Sequence, residues 1–154
     1  MKTLSWTHVD KSSWADGPWK SEPDKLQWAD EITGLPCLIK RNCVGALCGY
    51  VGIPEGHPWY RKGYEAVQPY PEVHGGLTYA DHCQDGDDDA KTICHIPAPR
   101  EPDNVWWLGF DCAHVGDLSP AFGRRFSDRD TYRPVSYVQA ECASLARQAK
   151  EAAS

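Results

Sequence analysis

Only one stretch of this chain repeats its apolar residues at helical spacing over several turns. Val135, Val138, Cys142, Leu145 and Ala149 follow one another at three- and four-residue steps, directly after Pro134. That spacing draws a single apolar stripe along a helix, and proline is well placed at a helix N-terminus. A helix over 134–151 is therefore expected. A lone amphipathic helix cannot bury its stripe by itself, so a second layer must cover it. The rest of the chain supplies short strand-like runs at 37–41, 44–51, 73–80, 92–96 and 104–112. Strands followed by one terminal helix predict an α+β fold: a single domain with a mainly antiparallel sheet and the C-terminal helix on one face. Its 154 residues are enough for one core.

The division of the chain follows from its punctuation. Residues 1–34 are polar, with Trp6, Trp14, Trp19 and Trp28 widely spaced and with Gly17-Pro18 and Glu22-Pro23 as breaks. This reads as an irregular N-terminal arm whose tryptophans dock on the single α+β domain of 35–154. Lys and Arg number 16 against 22 Asp and Glu, a net charge of −6. That balance disfavours a nucleic-acid polymer as partner. No apolar run approaches the length of a membrane span. Seven cysteines form an odd set without a Cys-x-x-Cys pair, and Met1 to Trp6 carries no secretion-type apolar run. Reduced, mostly buried thiols in a cytoplasmic setting are the expectation.

Alternation along the strands places the candidate residues. On 104–112, Trp106, Leu108, Phe110 and Cys112 share a face suited to the helix, while Val105, Trp107, Gly109 and Asp111 share the other. On 73–80, His74 and Thr78 share a side with Gly76. If both strands lie in one sheet, His74, Thr78, Trp107 and Asp111 converge on a ligand floor.

The densest chemistry lies at Asp111, His114 and Asp117, spaced by three. Asp111 orienting His114 as a general base is one reading. A divalent metal site and a purely structural turn are the others. His74-Gly75-Gly76 offers a second imidazole beside backbone that a ligand can approach closely. Two histidines can divide acid and base duties without a metal. Tyr137 and Glu141 lie one helical turn apart on a polar edge that could line the same cleft, with Gln148 further along it. The acidic 81–89 loop lacks the EF-hand ligand order and reads as solvated. A zinc site from His82, Cys83, Cys94 and His95 is the weaker reading of those four. The basic residues Arg61-Lys62, Arg100 and Arg124-Arg125, and the charged 123–131 stretch as a whole, read as loop.

Val73-His74-Gly75-Gly76-Leu77-Thr78-Tyr79-Ala80, Trp106-Trp107-x-Gly109-Phe110-Asp111-Cys112-Ala113-His114-x-Gly116-Asp117 and Tyr137-Val138-x-x-Glu141-Cys142-x-x-Leu145-Ala146 resemble a family of small proteins encoded by bacteriophages and prophages. Leu47 to Gly52 and Gly56 to Tyr60 are similar too, so the resemblance spans residues 22–150. It implies a phage accessory protein acting in the cytoplasm of an infected host. By analogy with anti-defence proteins of this size, the expectation is a metal-independent hydrolase of a small phosphodiester such as a cyclic dinucleotide. His74, His114 and Asp111 would be catalytic. Trp107, Thr78, Tyr79, Tyr137 and Glu141 would bind substrate, with Trp107 stacking on a base. No metal, cofactor, membrane or nucleic-acid polymer enters this expectation, and a homo-oligomer is compatible with it. A non-catalytic sponge for a nucleotide signal and a protein-binding inhibitor of a host enzyme are the rival expectations.

Overall fold

The protein is described by a computed structural model covering residues 1–84, 86–122 and 129–154. Among these described residues six strands form one antiparallel sheet: β1 (Leu4–Trp6), β2 (Lys25–Ala29), β3 (Pro36–Arg41), β4 (Leu47–Ile53), β5 (Tyr79–His82) and β6 (Trp106–Asp111). Their order across the sheet is β1-β2-β3-β4-β6-β5. The α-helix α1 (Val135–Ala152) packs on one face over β3 and β4. The fold is α+β, as expected from the lone helical stripe. Among the described residues no helix is long and apolar enough to cross a membrane.

Alternation assigns the two faces. Leu47, Val51 and Ile53 of β4, Leu108 and Phe110 of β6, and Cys112 just beyond it join Val138, Cys142, Leu145 and Ala149 of α1 in the main core. The helix comes close at Gly49, where an added Cβ would lie 2.8 Å from Cys142 Sγ and 2.5 Å from the Phe110 ring. Any larger residue there would lift α1 from the sheet. The opposite face carries a second cluster of Leu38, Cys48, Tyr50, Val105 and Trp107.

Three expectations are corrected. Residues 1–34 are more than an irregular arm, because they contribute β1 and β2. The polar look of β2 hid its alternation: Lys25 and Gln27 are polar yet only 1% and 0% exposed. Lys25 Nζ donates to the carbonyls of Asp89 and Cys94. Gln27 exchanges hydrogen bonds with the backbone of Ile96, donating at 3.1 Å and accepting at 2.8 Å. Buried polar groups satisfied in this way cost little, and here they tie the segment after β5 across the second face. The strand expected over 73–80 begins only at Tyr79, since Gly75 and Gly76 adopt φ of +68° and +79°, a left-handed turn that ends extended pairing. The stretch 92–96 forms no strand. Its backbone serves Lys25 and Gln27 instead.

The expectation of seven reduced thiols is corrected as well. Cys83 and Cys94 form a disulfide with their Cα atoms 4.8 Å apart, inside the range such a bond needs. Their 11-residue separation gave no hint of it. Cys37, Cys48, Cys112 and Cys142 are free and buried, and Cys43 is free and exposed. The charged 123–131 stretch, with Arg124 and Arg125, lies largely outside the described residues, as does Asp85.

The N-terminal segment is fastened to the sheet by charge. Asp24, fully buried, meets Arg41 Nε and Lys11 Nζ, each at 2.7 Å. It also accepts the backbone N–H groups of His8 and Val9, both at 2.9 Å. Burial alone would raise this carboxyl, but those donors outweigh it and hold it down to about 2.

Candidate functional site

The loop leading into β5, the turn after β6 and the first half of α1 meet at one end of the sheet. The left-handed turn at Gly75 and Gly76 carries His74 toward the helix rather than onto a strand face. There His74 Nε2 lies 2.7 Å from Asp117 Oδ2, and His74 Nδ1 lies 2.8 Å from the Tyr137 hydroxyl. Asp117 is buried. It also accepts Arg133 Nε at 2.9 Å and the backbone N–H of His114 at 3.1 Å. Burial would raise the Asp117 carboxyl, but His74, Arg133 and the His114 N–H together hold it below its ordinary value. An ionised carboxylate only accepts, so Nε2 of His74 donates to Asp117 while Nδ1 faces the Tyr137 hydroxyl. The order is carboxylate, imidazole, phenol.

Tyr137 Oη is 3.5 Å from Glu141 Oε1 on the next turn of α1. The Arg133 guanidinium lies 5.0 Å from the centre of its ring. Burial, and then the charge of Glu141, push the Tyr137 phenol above its ordinary value, so it rests protonated. An open cleft of about 530 Å³ begins here, lined by Glu72, His74, Tyr137, Glu141, Arg147 and Gln148 among others. Gln148 closes its far end, accepting the Glu72 N–H at 2.9 Å and donating to the Glu72 carbonyl at 2.8 Å.

The residues named from sequence fall into three places. His74, Tyr137 and Glu141 come together in the cleft. His114, Asp111, Thr78 and Tyr79 line a separate depression of about 510 Å³. The two imidazoles are neighbours, with ring centres 6.0 Å apart, but Gly75 lies against His114, and a Cβ on it would fall 2.2 Å from His114 Nε2. Asp111 Oδ1 is 3.2 Å from His114 Nε2, yet off the direction of a hydrogen bond, and that nitrogen has no hydrogen-bond partner among the described residues. Asp111 Oδ1 instead accepts the Ala113 N–H at 3.0 Å.

Trp107 lies in neither place. It is 0% exposed, with the His95 ring edge-on at 5.4 Å and Ile93 packed on its cluster. Of the floor expected from His74, Thr78, Trp107 and Asp111, only Trp107 and Asp111 lie on a strand, and the protein's own segment after β5 covers Trp107. Trp107 is therefore a core residue with no face left for a base.

Sequence reasoning left three contributors unassigned. Asp117, weighed as a turn cap or metal ligand, is the partner of His74. Ser144 and Arg147 join the cleft, and the signal for Ser144 was present. Positions 137, 141, 144 and 148 repeat at helical spacing as a second, polar stripe beside the apolar one. Among the described residues no group of three or more His, Cys, Asp or Glu side chains is arranged to hold a metal ion. The arrangement is chemically suited to proton transfer: a buried carboxylate bonded to an imidazole that faces a phenol at the mouth of a cleft. Compared with known families, with curated proteins and with solved structures, the chain matches none.

Proposed function

We propose that this chain is an acid/base hydrolase of a small phosphodiester, such as a cyclic dinucleotide, acting as a phage accessory protein against a host signal. The observation that carries the reading is the Asp117–His74–Tyr137 chain, with links of 2.7 and 2.8 Å, opening on the cleft. An imidazole fixed by a buried carboxylate can take a proton and return it at neutral pH, the requirement of diester cleavage. Arg147 lines the same cleft and offers a guanidinium to a phosphoryl oxygen. Base stacking on Trp107 is withdrawn from the proposal, because that ring is buried.

The test is to incubate the protein with a panel of cyclic di- and trinucleotides and to separate the products by chromatography and mass. Cleavage that disappears in His74→Ala supports the enzyme. One observation favours a second reading, a sponge that holds the nucleotide intact. Both ring nitrogens of His74 are engaged within the protein, as in a histidine that only shapes a pocket. Intact recovery of a tightly bound nucleotide supports the sponge. A flat thermal-shift response to every member of the panel rejects both.

A further inference from the structure

The polar stripe of α1 places one group where a general acid/base pair alone does not require it. Tyr137 Oη sits 2.8 Å from His74 Nδ1, and Asp117 holds the far side of that ring at 2.7 Å. A nucleophile, a base within hydrogen-bond reach and a third group orienting the base are the geometric signature of covalent catalysis, whichever hydroxyl serves. Resting on the hydrolase reading above, we propose that Tyr137 is the nucleophile of this site and carries the substrate's phosphoryl group as an ester.

Surrounding groups fit that role. The phenol is held protonated by burial and by Glu141, so like a serine hydroxyl it needs the adjacent base to react. Arg133 lies over the Tyr137 ring at 5.0 Å and puts positive charge over the ring's face as the phenol loses its proton. Tyr137 is also partly exposed and projects from a rigid helix flank onto the cleft, which is where a reacting oxygen must lie.

The steps balance. Tyr137 Oη attacks phosphorus, and its proton passes to His74 Nδ1, whose imidazolium faces Asp117. The bond from phosphorus to the leaving alcohol breaks, and His74 delivers the proton to that oxygen. Water then attacks the tyrosyl ester and gives a proton to His74. The bond between phosphorus and Tyr137 oxygen breaks, and the phenolate recovers the proton from His74.

Two probes separate this inference from the reading it rests on. The first is an aryl sulfonyl fluoride, which the phenol attacks at sulfur with loss of fluoride. Peptide mapping should find Tyr137 labelled about tenfold or more faster than the exposed Tyr64, and His74→Ala should remove that excess. The second is bis(4-nitrophenyl) phosphate. It should release a burst of nitrophenolate of up to one equivalent per chain and leave a nitrophenylphosphoryl group on Tyr137. Tyr137→Phe, which keeps the ring and is checked for folding by circular dichroism, should show neither burst nor adduct. Selective labelling of Tyr137 without turnover of any diester would keep the nucleophile and reject the phosphodiester reading. Diester turnover undiminished in Tyr137→Phe would reject the nucleophile and keep the acid/base reading. Labelling of Tyr137 no faster than Tyr64, with no adduct from the diester, would overturn the inference.

Discussion

Replacing Asp24 by alanine should unfasten the N-terminal segment from the sheet. The carboxylate is fully buried and meets Arg41, Lys11 and two backbone N–H groups. Removing it leaves the fully buried Arg41 side chain facing a hole where its counter-charge was. Breaking a buried ion pair from one side costs about 3–5 kcal/mol. At roughly 2–4 °C per kcal/mol for a domain of this size, the melting temperature should fall by about 6–20 °C. The control is Asp88→Ala, which removes an exposed 3.7 Å pair with Lys91 and should change stability by less than about 0.5 kcal/mol. Acid supplies a second readout. The Asp24 carboxyl lies at about 2 in the folded chain, below its ordinary 3.8. Its contribution is therefore present in full above pH ~4 and is lost as pH falls toward ~2, an amount of about 2–3 kcal/mol. The alanine variant should lack that component of the acid-induced loss. Thermal melts followed by circular dichroism at pH 7 and at pH 3 measure both effects. Equal midpoints for Asp24→Ala and Asp88→Ala, or an acid dependence identical to that of the unaltered protein, would refute the argument.

Four further outcomes are expected. Leu145, fully buried in the helix stripe, should cost about 2–5 kcal/mol on replacement by alanine. Arg147→Ala should change stability by less than about 0.5 kcal/mol while weakening diester binding, and denaturant midpoints with a binding titration separate the two. Trp107→Ala should destabilise the protein by about 3–5 kcal/mol through the cavity it leaves, and a variant that melts normally would contradict the burial of that ring. Gly75→Ala should cost about 1–3 kcal/mol, since φ is +68° there and the new Cβ would meet His114; an unchanged midpoint would count against the close approach of turn and imidazole.

The helix and β6 were legible because each carries a period. Val138, Cys142 and Leu145 mark one face at helical spacing, and Leu108 and Phe110 mark another by alternation. β2 was not legible, because Lys25 and Gln27 occupy its second face and become buried only when a segment distant in sequence brings carbonyls to them. The same segment decides the fate of Trp107: alternation gives the face on which a ring lies, but not what covers that face. At the site, His74, Tyr137 and Glu141 were recognisable as residue types, whereas their meeting depended on a glycine turn that replaced an expected strand. The pairing of His74 with Asp117 spans 43 residues. Local spacing instead suggested Asp111 as the partner of His114, three residues before it.

In the proposed reaction His74 is the imidazole that moves the proton. The most direct measurement compares initial rates of diester cleavage, by product chromatography, for the unaltered protein, His74→Ala and His114→Ala. His74→Ala should lose about 10²–10⁴-fold, the scale of one general acid or base, whereas His114→Ala, whose ring lines the other depression, should stay within about tenfold. Equal losses in the two variants, or a rate that survives the loss of His74, would contradict the account.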